Sequence, residues 1–124
     1  MRVVVGYVAT PEGDAAFERA LNEAILRQAD LTVVGGLGDD SLLKPLAKRC
    51  KQSKVKATFD DKDDDRDVGD RLVDASYEDD VELVVIGIKR RSPVGKVLLG
   101  SVAQRVLLEG NSAVLAVKAP LSLG

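Results

Sequence analysis

Histidine is absent from this chain and cysteine occurs once in its 124 residues. Without imidazole there is no common general base near neutral pH, no imidazole metal ligand and no Ser-His or Cys-His nucleophile pair. A single cysteine forbids an intramolecular disulfide, and Cys50 follows Leu42, Leu43, Leu46 and Ala47 at helical spacing, the pattern of a buried small hydrophobe rather than a reactive thiol. No apolar run approaches the roughly 18 to 20 residues of a membrane span. Met1 leads at once into a strand-like segment with no basic-then-apolar leader. A net charge of −2 argues against general binding to nucleic acid or to an anionic membrane. The expectation is a cytoplasmic protein with no catalytic residue, no metal site and neither a membrane nor a nucleic-acid partner.

A hydrophobic share of 45% in a chain of this length supports one compact domain, residues 1–124. Val3-Val4-Val5-Gly6-Tyr7-Val8 is a continuous, β-branched run, as expected for a strand buried on both faces of a parallel sheet. Thr10-Pro11-Glu12-Gly13 supplies an N-cap hydroxyl, a proline at the first helical position and an acid in the first turn, and Phe17, Leu21 and Ile25 continue as one apolar stripe. The alternation repeats with a strand at 31–34, a glycine loop from Gly35, a helix at 42–51 containing Pro45, and a short strand at 55–59. A helix on Val68, Leu72 and Ala75 precedes the apolar strand 83–86. Beyond a loop at 87–99, a helix over 100–109 is expected to turn Val102, Val106 and Leu107 inward and to end at Gly110, before a last strand, Ala113 to Val117. Five strands alternating with four helices read as a single-domain, doubly wound α/β fold, a parallel sheet with helices on both faces.

Charge is divided sharply along the chain. Residues 60–82 carry twelve acids against Lys62, Arg66 and Arg71, whereas 83–108 contain no acid at all. The acidic run invites a calcium reading, but with Asp63, Asp65 and Asp67 in place, Val68 stands where the calcium loop needs glycine and Asp74 where it needs glutamate. A solvated loop that also sets acids at a helix N-terminus accounts for it. The basic segment differs in kind. From Gly87 to Ser101 it combines glycines, four cations (Lys89, Arg90, Arg91 and Lys96) and a hydroxyl at a helix start, where unpaired N–H groups and the helix dipole favour an anion.

The spacing Gly87, two residues, position 90, nine residues, Gly100-Ser101 resembles the nucleotide-binding signature of the universal stress protein family, Gly-x-x-Gly-x9-Gly-Ser/Thr, with Arg90 at the second glycine. The likeness extends over essentially the whole chain. It implies a strand order 3-2-1-4-5 and a pocket for adenine nucleotide (ATP or AMP), phosphate or sulfate in the crevice between the first and fourth strands. Carried onto this chain, Gly87, Gly100, Ser101 and Val102 would contact phosphate, Arg90 would add charge, and Tyr7, Val8 and Ile86 would form the wall. The family's ATP-binding members commonly carry an Asp near the end of the first strand, where this chain has Val8. Arg90 admits two roles, a bidentate hold on phosphate or a block to the backbone's approach. The resemblance implies a homodimeric ligand-sensing module of the stress response, paired through the strand Ala113 to Val117. A dimeric interaction protein that binds no nucleotide is the alternative, and a slow nucleotide hydrolase a more distant one.

Overall fold

The computed structural model describes residues 1–35, 40–60, 67–91 and 96–120, with the backbone alone described at 40, 90, 91 and 96–98. The chain runs β1 (Arg2–Tyr7), α1 (Pro11–Arg27), β2 (Asp30–Gly35), α2 (Asp40–Gln52), β3 (Ala57–Asp60), α3 (Val68–Ser76), β4 (Val81–Arg91), β5 (Lys96–Leu98), α4 (Ser101–Glu109) and β6 (Ala113–Lys118). Five strands pair in parallel in the order β3-β2-β1-β4-β6, which is the expected 3-2-1-4-5 arrangement counted over the parallel strands. Val3, Val4 and Val5 of the central β1 are fully buried, as the unbroken β-branched run requires when both faces are covered. One face is sealed by Phe17 and Leu21 of α1 with Leu46 and Cys50 of α2. Leu72 of α3 with Ala103 and Val106 of α4 seals the other.

Several local expectations change. The segment expected as a loop at 87–99 instead carries β4 on to Arg91, where β5 folds back antiparallel with Arg90 opposite Val97. Four cations mask the strand signal, but the backbone there satisfies its polar groups by pairing with itself. The third strand starts at Ala57, because Lys54 adopts a left-handed conformation (φ 58°) and the Val55 amide donates to the Cys50 carbonyl, closing α2. In α4, Ala103 and Val106 face inward while Val102 and Leu107 are exposed. Ala103 and Val106 pack with Leu72, Val84 and Ile86, and on the flank of that contact the Arg105 guanidinium pairs with Asp67 and Asp70 of α3. Ile25 leaves the α1 stripe for solvent, and Ala16, Ala20 and Ala24 complete the buried face beside Phe17 and Leu21.

Candidate functional site

β1 and β4 are neighbours whose chain connections leave in opposite directions, so a crevice opens beyond their C-terminal ends, the usual ligand position in such sheets. A cavity of about 530 Å³ lies there. Its walls come from the ends of both strands and from the first turns of α1, α3 and α4. That volume falls within the range of small-molecule sites, roughly 300 to 1,000 Å³.

The α1 wall is built on close backbone approach. A Cβ on Gly13 would overlap the Val8 carbonyl oxygen, and one on Gly87 would overlap the Glu12 carbonyl oxygen. Gly87 thus lets α1 start against the end of β4, a packing requirement that its motif position does not reveal. Gly35 does the same for β2 against Tyr7. The Thr10 hydroxyl accepts from the Gly13 amide at 3.0 Å, so this helix start supplies its own cap. Tyr7 is fixed beneath it. Its ring meets Phe17 edge-on at 6.3 Å, and its hydroxyl donates to Asp14 at 2.8 Å. Burial, then the Asp14 hydrogen bond and charge, push the phenol up to about 12. Tyr7 therefore offers the cavity an apolar ring and holds its proton at physiological pH.

The opposite wall has two different helix starts. At α3, the Asp67 carboxylate accepts from the Asp70 amide at 2.8 Å. At α4, the N-cap is Gly100 (φ −68°, ψ 169°), with no side-chain cap bond, and a Cβ placed on it would meet nothing within 4 Å. Free amides of a first turn, an exposed Ser101 and open space coincide there. Buried Ile86, Ile88 and Leu72 supply an apolar floor.

A model of the universal stress protein family matches residues 36–118. The chain belongs to that family. It is 41% identical to a universal stress protein of Mycolicibacterium smegmatis, over 94% of this chain and 96% of the relative. The fold is similar to that of the Archaeoglobus fulgidus universal stress protein (TM-score 0.75, 27% identity, 95% of this chain and 98% of the other). A structure of a universal stress protein from Archaeoglobus fulgidus in complex with dAMP matches with TM-score 0.69 and 23% identity, over 95% of this chain and 98% of the other. A universal stress protein in complex with cAMP matches with TM-score 0.68 and 22% identity, over 97% and 98%.

Of the positions singled out in the family motif and its surroundings, Tyr7, Val8, Ile86, Gly87, Gly100, Ser101 and Val102 all line the one cavity. Arg90 sits in β4 opposite Val97, and its side chain lies outside the described residues. Asp63 and Asp65 of the acidic run also fall outside them. Sequence reasoning passed over Glu12 and Asp67, which bring carboxylates to the same lining. Each carries an ordinary local signal, a first-turn acid and an N-cap, and only the fold carries them to the cavity.

Proposed function

We propose that this universal stress protein is a ligand-sensing module that holds a phosphate-bearing ligand, an adenine nucleotide of the AMP or ATP class, in the β1/β4 crevice. The observation that carries the reading is the bare start of α4: uncapped amides at Gly100, Ser101 and Val102 beside an apolar-floored cavity of nucleotide size. In this reading those residues hold phosphate, the Gly87 backbone lies alongside, and Tyr7, Val8 and Ile86 pack against the nucleoside. In this assignment Arg90 supplies cationic charge to the phosphate. The dAMP and cAMP complexes of similar proteins support the ligand class. In this reading the role is binding rather than catalysis. Titration calorimetry with AMP, ATP and phosphate tests it. Saturable heat that Ser101→Glu removes is the expected result, and no heat from any of the three at millimolar concentration would leave the interaction-only reading in its place.

The module works in the cytoplasm as a homodimer. β6 pairs with β4 on one side, and among the described residues no strand covers its other edge, although Ala113 to Val117 is wholly apolar. Exposed apolar edges are aggregation hazards that natural proteins cover, and antiparallel pairing of β6 with its copy covers this one. Val117→Lys should shift sedimentation from dimer toward monomer at tens of micromolar; a monomeric parent protein would refute the pairing.

A further inference from the structure

Among the described residues, the charged lining of the cavity is Glu12, Asp67 and Lys89, two carboxylates against one ammonium. Glu12 is half-buried in the first turn of α1, on the backbone that Gly13 and Gly87 lock against β4. Its carboxylate has no hydrogen bond or ion pair among the described residues. Asp67 is held in place, its Oδ1 accepting from the Asp70 amide at 2.8 Å and from Arg105 at 3.3 Å. Neither acid can be assigned to a phosphate contact. Both act on the ligand's charge through a cavity whose floor is apolar, where screening is weaker than in open water.

We propose that Glu12 and Asp67 are specificity-determining residues that make the cavity select nucleotides by charge, favouring one phosphate over three. This rests on the nucleotide reading above. A single phosphate takes the free amides of α4 and the Arg90 charge assigned to it above, and each further negative charge meets the two carboxylates with no second bare helix start to gain, because α1 and α3 are already capped by Thr10 and Asp67. ATP carries about two more negative charges than AMP, so removing one carboxylate should change their relative affinity by about fivefold even in a water-like dielectric, for charges on the order of 8 Å apart.

The test is calorimetric titration of the full chain with adenosine, AMP and ATP, without divalent cations and at two salt concentrations. The parent protein should bind AMP at least as tightly as ATP. Glu12→Gln should move the preference toward ATP by about fivefold, less at the higher salt, with adenosine affinity unchanged as the check that the cavity is intact. Asp67→Asn, which keeps a capping oxygen for α3, should shift the preference in the same direction, and it decides the matter if the Glu12 variant fails to fold. A preference unmoved in both variants, or a parent that binds ATP tenfold more tightly than AMP, overturns the charge selection and leaves nucleotide binding standing. Failure of all three ligands to bind the parent removes both.

Discussion

The two walls of the cavity use glycine for opposite purposes. On the α1 side, Gly13 and Gly87 exist because backbone lies where a Cβ would go, and the helix start is closed by Thr10. On the α4 side, Gly100 has nothing within 4 Å of its absent Cβ, and the helix start has no side-chain cap. The first wall is packed for rigidity. The second forgoes a stabilising cap, and leaving orphan N–H groups free next to a cavity makes chemical sense when an anion completes them.

The largest effect should come from breaking the first wall. Gly87→Ala and Gly13→Ala each push a methyl group into main-chain atoms, which cannot rotate away as a side chain could. Each should cost about 3 kcal/mol or more, at or beyond the upper end of overpacking penalties, and lower the melting temperature by more than about 10 °C. Thermal unfolding followed by circular dichroism checks this. Alanine at either position with near-parental stability would mean that the close approach of α1 to β4 is not a constraint of the fold.

These two glycines also mark where sequence reading stops. The first helix start was legible because Thr10, Pro11 and Glu12 are adjacent and carry local capping chemistry. The parallel strands were legible because burial on both faces leaves continuous apolar runs such as Val3 to Val5. Gly87 was legible only as a motif glycine, since the atom that demands it belongs to Glu12 in a distant segment. The β5 hairpin went unseen for a related reason: its pairing joins Lys96 to Arg91, residues whose charge reads locally as solvated loop. The rotation of α4 was missed because Val102, Ala103, Val106, Leu107 and Leu108 make more than one face of that helix apolar, so spacing alone does not choose between Val102 and Ala103.

A smaller effect is expected where the hairpin meets the open wall. Arg90→Gly restores the glycine of the family pattern and removes the cation that the proposed function assigns to the phosphate. Anion affinity should fall severalfold and depend less on salt, because one fewer charge is screened. Binding isotherms at low and high salt measure both quantities. A tighter ATP complex in the glycine variant would show that the side chain obstructs the phosphates and that the hairpin backbone is the true contact.

The fine test of the comparison is to make α4 start as α3 does. Gly100→Asp places a carboxylate at an N-cap whose backbone (φ −68°, ψ 169°) already suits aspartate, in a space with no atom to displace. By capping the first-turn amides it should stabilise the protein by a few tenths to about 1 kcal/mol, the difference between a side-chain cap and glycine. The same carboxylate occupies the donors that a phosphate would use and adds a negative charge beside it. Phosphate and nucleotide affinity should therefore fall by at least tenfold while the melting temperature holds or rises. That opposite movement separates the two meanings of a bare helix start. If Gly100→Asp raises stability and leaves ligand affinity unchanged, the α4 amides are not the phosphate site; if it lowers both, the open space at Gly100 belongs to the fold and not to a ligand.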